Sequence, residues 1–181
     1  MDALAQVTAA LVRAEKKGLE PTSFSARIPG EEAMAAGGAR IPFAEALGEW
    51  AEHARLYRQR ADAGAVLVAR PPWASQLESL PPVFDEQVRQ LGTGSLDRGG
   101  NVQFEKQSVV VIGFSADRTV MNAELLEKCA KAYLPATRAG GKVAMIPWWV
   151  RWIAVSRLRK DQQRAAAALA RGEFPAGFST Y

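Results

Sequence analysis

The sequence predicts an α/β fold in which helices alternate with short buried strands. Two runs rich in β-branched residues, AVLVA at 65–69 and SVVVIG at 108–113, are typical of strands buried on both faces. Around these runs, apolar residues recur at helical spacing. The chain has 181 residues, of which 48% are hydrophobic, enough for one core of ordinary size. A single domain over residues 1–181 is therefore expected.

The first third of the chain predicts a helix, a strand and a second helix. Residues 2–18 carry apolar side chains at helical spacing and end at a glycine, which predicts an amphipathic helix. A short strand is expected over 23–28. The segment that follows it, 29–42, is rich in Pro, Gly and Ala and predicts a loop with little room for a second full strand. Residues 42–63 are rich in helix formers and predict the second helix.

The rest of the chain predicts further helices around the second strand. Two prolines end the AVLVA strand, because proline cannot donate to a sheet. Short helices are expected at 74–79 and within 81–92, followed by a glycine-rich loop at 93–101. A serine N-cap predicts a helix over 115–133, and a proline start predicts the last helix over 147–172.

Composition narrows the functional classes. The net charge of +4 permits contact with anions, but acidic residues are interleaved through most of the chain and dilute the positive field. The single cysteine, Cys129, excludes an internal disulfide and a cysteine-based zinc site. No basic signal-peptide start or membrane-length apolar run is present, and no nucleotide-binding glycine motif. We therefore expect a cytoplasmic protein with no cofactor, no nucleic-acid partner and no membrane partner.

Five segments resemble, in order, segments of the class II aldolase and adducin-like family. They are SARIPG at 25–30, GEWAEHARLYRQRADAGAVL at 48–67, PPVFDEQVRQLG at 81–92, SVVVIG at 108–113 and AELLEKCAKAYL at 123–134. The resemblance covers nearly the whole chain. It implies a three-layer α/β/α sandwich on a central mixed β-sheet. It also implies a tetramer with active sites in clefts between subunits.

The resemblance breaks down at the metal ligands. Enzymes of the family hold a divalent metal, typically zinc, with three histidines and use a helix glutamate as acid or base. Here the His-x-His positions fall on Val68 and Arg70, and the Asn-His-Gly positions fall on 106–108, which read Lys-Gln-Ser. The only histidine, His53, cannot supply a three-histidine site. We therefore predict a divergent member that lacks the metal-binding histidines and holds no metal.

Glu49 and His53 are the predicted catalytic residues. Glu49 matches the family's acid/base glutamate, and His53 lies four residues later on the same helix face. The alternatives are half of a metal site and a pair that only stiffens the helix. Arg70 and Lys106, together with Gln107, stand where metal ligands would stand and are predicted to bind a carboxylate or enolate. The alternative is that they are solvated charges of an eroded cleft.

Three further features have two interpretations each. Arg27 is predicted to meet a substrate anion at the end of the first strand, although pairing with a nearby carboxylate is the commoner role. Trp73, which follows two prolines, could form a pocket wall or simply pack in the core. The segment 147–160 combines three tryptophans with four cations. Its apolar stripe favours burial at a subunit contact over a membrane or nucleic-acid surface.

Two functions follow from these residues. The first is a divergent, metal-independent enzyme acting on a small anionic oxo or hydroxy acid by C–C bond lysis or formation, decarboxylation or enolisation. Glu49 would be its acid/base, and Arg70 with Lys106 its anion clamp. The second is a catalytically silent relative that serves as a partner subunit or scaffold. We favour the first, in a homo-oligomer, with a mixed oligomer of related subunits as the alternative assembly.

Overall fold

Six strands form one sheet in the computed structural model, which describes residues 2–175. The strands are β1 (Pro21–Arg27), β2 (Ala33–Ala36), β3 (Ala39–Pro42), β4 (Ala65–Ala69), β5 (Val102–Glu105) and β6 (Ser108–Gly113). Their order across the sheet is β3-β2-β1-β4-β6-β5. The expected mixed sheet is wrong, because every pairing among the described strands is antiparallel. Three of the five pairings join strands that are consecutive in the chain through loops too short for a parallel crossover.

Helices cover both faces of this sheet and confirm the α/β class and the three layers. The helices are α1 (Ala3–Lys16), α2 (Glu49–Gln59), α3 (Asp85–Leu91), α4 (Ala116–Arg138) and α5 (Trp148–Ala170). Helices α1 and α4 pack on one face, and α2 packs on the other. Helix α5 packs on α3. The side chain of Ser115 accepts a hydrogen bond from the backbone of Arg118, so the predicted N-cap of α4 is confirmed.

Alternate residues of the central strands supply two separate cores. In β4, Leu67 packs with the α1 and α4 side, whereas its neighbour Val66 packs with the α2 side. Both are fully buried. The β-branched runs at 65–69 and 108–113 are therefore buried on both faces, as predicted. No helix within residues 2–175 is long and apolar enough to cross a membrane.

The segment predicted as a loop over 29–42 contains two strands. Residues 33–36 and 39–42 form the β2–β3 hairpin through a turn at Gly37 and Gly38. Both glycines have positive φ, +55° and +79°, which other residues rarely adopt. Alanine has a low preference for strands, so the pairing and burial of this hairpin were not visible in its composition.

The helix predicted over 42–63 is shorter than expected. A 3₁₀ turn covers Phe43–Glu45, and α2 begins only at Glu49, after a glycine at position 48 with φ +58°. Strand β5, at the end of the predicted loop 93–101, was also missed. It is four residues long and lies at the edge of the sheet, where burial gives a weak sequence pattern.

Candidate functional site at the lower edge of the sheet

The register of the strands brings several predicted site residues to one end of the sheet, which we call the lower edge. Ala69, the last residue of β4, pairs with Pro21 at the start of β1 and with Val109 near the start of β6. The turn at 106–107 lies at the same edge, because the last residue of β5 pairs with the first residue of β6. Arg70 follows Ala69 directly. The residues at the lost metal-ligand positions therefore share one edge of the molecule.

Helix α2 begins at the same edge. It runs along β1 in the same direction, because His53 contacts Ser23 near the start of β1, whereas Arg27 at the end of β1 donates to the backbone of Arg60 after the helix. Glu49 is the first residue of α2 and is exposed. The lower edge therefore carries the predicted acid/base together with the predicted anion clamp.

Three charged groups at the lower edge have no side-chain partner among residues 2–175. Glu49, Arg70 and Lys106 are exposed, and none of them has an ion pair or a side-chain hydrogen bond with another residue in 2–175. The backbone N–H of Arg70 donates to the carbonyl of Glu20 at 3.0 Å, which fixes the backbone while the guanidinium stays available. The two cations, Arg70 and Lys106, can therefore bind an anion without first breaking an internal ion pair.

Gln107 completes the two-residue turn between β5 and β6. Its φ is +66°, a left-handed conformation that is uncommon outside glycine. Its side chain is exposed beside that of Lys106. The turn therefore exposes one cation, Lys106, and one amide, Gln107, at the lower edge. Both are predicted substrate-binding residues.

His53 lies in a buried network and does not hydrogen-bond to Glu49. Its Nε2 is 2.9 Å from Oγ of Ser23, and its Nδ1 is 2.7 Å from Oγ of Ser25. The hydroxyl of Ser25 is in turn 2.8 Å from that of Tyr57. His53 is 1% exposed, and burial lowers its pKa to about 4. The imidazole is therefore neutral near pH 7 and both of its nitrogens are engaged.

The residue spacing that builds this network is visible in the sequence. Ser23 and Ser25 alternate on β1 and so project from the same face of the sheet. His53 and Tyr57 are four residues apart on α2 and so project from the same face of the helix. The two pairs meet because α2 packs on that face of the sheet. Burial also raises the pKa of Tyr57, which keeps its hydroxyl protonated.

Arg27 lies away from the lower edge and binds backbone. Its Nε donates to the carbonyl of Ala63 at 3.0 Å, and one terminal nitrogen donates to the carbonyls of Tyr57 and Arg60. The guanidinium also stacks over the ring of Tyr57, 5.1 Å from its centroid. These contacts close the C-terminal end of α2, so the partners are carbonyls and not the carboxylate considered above. The seven residues of β1, about 20 Å, separate Arg27 from the start of that strand.

Trp73 lies on the other face of the sheet from α2. Its side chain is half-buried and packs against the core that α1 and α4 cover. Its backbone N–H donates to the carboxylate of Glu127 at 2.9 Å, as does that of Ala74. The structure therefore does not bring Trp73 together with Glu49.

A cavity of about 310 Å³ lies between β5, α3 and α4. Its lining includes Gln103 and Phe104 of β5, Leu126 of α4 and the loop 92–95. Its size is at the lower limit for small-molecule sites. None of the predicted site residues lines it, and sequence reasoning missed it. The only signal in the sequence was the glycine-rich loop predicted over 93–101.

The residues at the lower edge do not fit a three-histidine metal site. The His-x-His positions carry Val68 of β4 and Arg70 directly after it, and the turn carries Lys106 and Gln107. None of these is a usual zinc ligand. Both nitrogens of His53 are already bonded to serines. Among residues 2–175, no group of three or more His, Cys, Asp or Glu is placed to hold a metal ion.

Comparison with solved structures identifies the fold family that this chain resembles. YgbL from Klebsiella pneumoniae, a candidate aldolase/epimerase/decarboxylase, superposes with a TM-score of 0.67 at 15% identity, over 85% of this chain and 99% of its own. An L-fuculose 1-phosphate aldolase gives 0.62 at 15% identity, over 86% and 94%. YgbL from Escherichia coli gives 0.60 at 17% identity, over 84% and 95%. This chain has the class II aldolase fold.

The predicted resemblance to class II aldolases is thus confirmed at the level of the fold. No protein-family model matches the sequence, and no curated protein does either. The class II aldolase fold is retained at sequence identities of 15 to 17% because strand order and the two cores depend on apolar pattern more than on individual side chains.

Proposed function

We propose that this chain is a divergent enzyme of the class II aldolase fold that acts on a small anionic oxo or hydroxy acid without a metal. The observation that carries the proposal is the position of Glu49, Arg70 and Lys106 at one edge of the sheet, exposed and unpaired. The structural neighbours include a candidate aldolase/epimerase/decarboxylase, a name that covers chemistry at the carbon beside a carbonyl. At that carbon, enolisation, decarboxylation and C–C bond lysis or formation all pass through a carbanion or enolate.

The proposed mechanism uses one carboxylate for proton transfer and two cations for anion binding. Glu49 accepts the proton from the carbon beside the carbonyl, or returns it. Arg70 and Lys106 bind the substrate carboxylate and the enolate oxygen. At an effective dielectric of about 20, a cation about 4 Å from an oxyanion contributes roughly 4 kcal/mol, so two cations could replace much of the stabilisation that a metal supplies.

His53 has an indirect part in this mechanism. Its pKa of about 4 and its two serine partners leave it neither a free base nor a free acid near neutral pH. We propose that it holds α2 against β1, so that Glu49 four residues earlier keeps its place at the lower edge. It is therefore a positioning residue in this proposal.

The test is deuterium exchange at the carbon beside the carbonyl, measured by proton NMR in D₂O with excess EDTA. Pyruvate and 2-oxobutyrate serve as probes, because both are small oxo acids with exchangeable protons. We expect exchange above the rate without protein. Glu49→Gln should reduce that rate about 10²- to 10⁴-fold, the usual contribution of a general base. Arg70→Ala should weaken saturation by the probe with a smaller effect on the maximal rate.

Glu52→Gln is the matched control. Glu52 is exposed on the same helix but is paired with Arg55, so its replacement should leave exchange unchanged. Equal rates for the Glu49 and Glu52 variants would show that Glu49 is not the base. Exchange that requires zinc and disappears with EDTA would show that the metal-free part of the proposal is wrong.

A silent partner subunit is the second candidate function. It is supported by the cavity between β5, α3 and α4, which contains none of the predicted site residues, and by the purely internal partners of His53. Under this alternative, neither probe exchanges above background. Addition of the chain would instead change the activity or assembly of a related, metal-competent subunit.

A further inference from the structure

The cavity between β5, α3 and α4 has an apolar floor. Leu91, Val102 and Leu126 line it and are 8% exposed or less, and Phe104 lines it half-buried. All four side chains belong to, or pack against, the core that α1 and α4 cover. A ligand in this space of about 310 Å³ would therefore place an apolar group against the floor.

A fixed loop forms one wall of the cavity. The loop 92–95 lines it, and the buried guanidinium of Arg60 donates to the carbonyls of Leu96 at 2.8 Å and Gly100 at 2.6 Å. The loop closes so tightly that a Cβ on Gly100 would lie 1.7 Å from the carbonyl oxygen of Gly94. Because internal contacts already hold this wall, ligand binding does not have to order it.

The side chain of Gln87 holds a second wall. Gln87 is buried, its Oε1 accepts from the backbone N–H of Val83 at 3.1 Å, and its Nε2 donates to the carbonyl of Pro81 at 2.9 Å. These bonds fix residues 81–83 against α3, directly after the lining residues 78–80. The cavity therefore lies between two segments that side-chain contacts keep in place.

Strand β5 has a free edge beside the cavity. It is the last strand of the sheet and pairs only with β6 among the described strands. The N–H of Ile112 donates to the carbonyl of Asn101 at 2.9 Å, so the alternation of antiparallel bonds points the N–H and C=O groups of Val102 and Phe104 away from β6. Both residues line the cavity. Their carbonyls can therefore accept hydrogen bonds from a ligand.

Negative charge surrounds this cavity, although the chain as a whole carries +4. Residues 71–105 supply every described lining residue except Leu126, and they contain five Asp and Glu but two Lys and Arg. One of those two cations, Arg89, is paired with Asp161. Glu78 is the one charged residue of the described lining, and it is exposed without an ion pair to any residue in 2–175. The cavity therefore favours a cation over an anion.

We propose that this cavity binds a primary ammonium compound with an apolar body, such as an arylalkylamine. An ammonium group has three N–H donors and no acceptor. Glu78 and the free carbonyls of β5 supply the acceptors, while the floor supplies the apolar contact. This site takes a cation, whereas the lower edge is proposed to take an anion, so the two sites bind different ligands.

Other ligands match the cavity less well. An anion would meet Glu78 and an acidic surround, with no cation in the described lining. A metal ion needs several ligand groups, and residues 2–175 contain no group of three or more His, Cys, Asp or Glu placed for one. A neutral apolar compound would match the floor but would leave Glu78 and the β5 carbonyls without a partner.

The test is a titration of the ¹⁵N-labelled full chain with 2-phenylethylamine at pH 7, monitored through backbone amide shifts in NMR spectra. At pH 7 the amine is protonated, as a lysine side chain is. We expect the amides of Gly92, Gly94 and Phe104 to shift and to saturate with a Kd on the order of 1 mM, which is typical of so small a ligand.

Three analogues separate the two parts of the ligand. 2-Phenylethanol lacks the charge, ethylamine lacks the ring, and 3-phenylpropionate reverses the charge. Each should bind roughly tenfold more weakly than 2-phenylethylamine, because each loses either the charged hydrogen bonds or the apolar contact.

Two variants locate the charge contact. Glu78→Gln should weaken binding of the amine roughly three- to tenfold, because it removes the carboxylate. Glu105→Gln is the matched control, since Glu105 is exposed at the end of β5, does not line the cavity, and accepts from Gln103 and Ser108. It should bind the amine like the wild type. Both positions are exposed, so both variants should fold, which the amide spectrum itself checks.

Three results would overturn the proposal. Equal affinity for 2-phenylethanol and 2-phenylethylamine would mean that the cavity does not select a cation. Equal weakening by the Glu78 and Glu105 variants would mean that the amine responds to the acidic surface in general. Shifts that do not saturate, or that fall at residues 49, 70 and 106 instead, would mean that the cavity is not the site. The readout is binding at residues 92–104, so it does not depend on the chemistry proposed for Glu49.

Discussion

Glu49 and His53 lie about one helical turn apart at the start of α2, but their surroundings differ. Glu49 is exposed and has no partner in the described chain, whereas His53 is 1% exposed and uses both ring nitrogens. In the sequence the two residues form one motif on one helix face. In the structure the first is available for chemistry and the second holds the helix to the sheet. Two residues that form one motif in the sequence can therefore have opposite surroundings, one in solvent and one in the core.

The two surroundings should differ in their contribution to the free energy of unfolding, which urea titration measures. Substitutions of the buried residues of α2 should lower the free energy of unfolding substantially. Substitutions at the exposed lower edge should leave the free energy of unfolding nearly unchanged.

His53→Ala should cause the largest loss. It removes a buried side chain, leaves a cavity and strips the hydroxyls of Ser23 and Ser25 of their imidazole partner. Together these effects should cost about 4 kcal/mol. A cost below 1 kcal/mol would mean that the network contributes little and that the buried half of α2 resembles the exposed half.

Acid should destabilise the protein through the same histidine. The pKa of His53 is about 4 in the folded chain and 6.5 in the unfolded chain, so between these values the unfolded state binds more protons. Stability from this group is therefore complete above pH 7 and falls as pH drops from 6.5 towards 4. Between pH 7 and pH 5 the loss should be about 2 kcal/mol.

His53→Gln is the control for this pH effect, because glutamine does not titrate. Its free energy of unfolding should change less between pH 7 and pH 5 than that of the wild type. Equal changes in the two proteins would assign the pH dependence to other groups.

Tyr57→Phe should have a smaller effect. It removes only the hydroxyl that bonds to Ser25 and keeps the ring that stacks on Phe43, 5.3 Å between centroids. One buried hydrogen bond is worth about 1 kcal/mol. A loss as large as that of the His53 variant would indicate that the network acts as one cooperative unit.

Glu49→Gln and Arg70→Ala should have the smallest effects on stability, each below about 0.5 kcal/mol, because neither side chain is buried or paired within residues 2–175. Loss of exchange activity with unchanged stability would sharpen the division within α2. A large destabilisation by either variant would mean that the lower edge is structural.

Sequence reasoning succeeded where burial leaves a strong pattern. The two β-branched runs became β4 and β6, and the serine cap and apolar spacing located α4. It failed at the β2–β3 hairpin, where alanines carry the strand, and at β5, whose edge position weakens its pattern. Strands β2 and β3 pair through a glycine turn, and β5 pairs with β6 through the turn at 106–107. Their strand conformation depends on this pairing and on burial, which a local composition pattern does not show.

The list of side chains at the candidate site follows from the amino-acid sequence: one histidine, no three-histidine zinc set, and the charged residues Glu49, Arg70 and Lys106. The surroundings of each group depend on how distant segments pack. Antiparallel register brought residues 70 and 106 to one edge. Packing of α2 on β1 placed Glu49 at the same edge and buried His53 between two serines. The physical reason is that chemical identity belongs to single residues, whereas burial and proximity arise only when distant segments pack together.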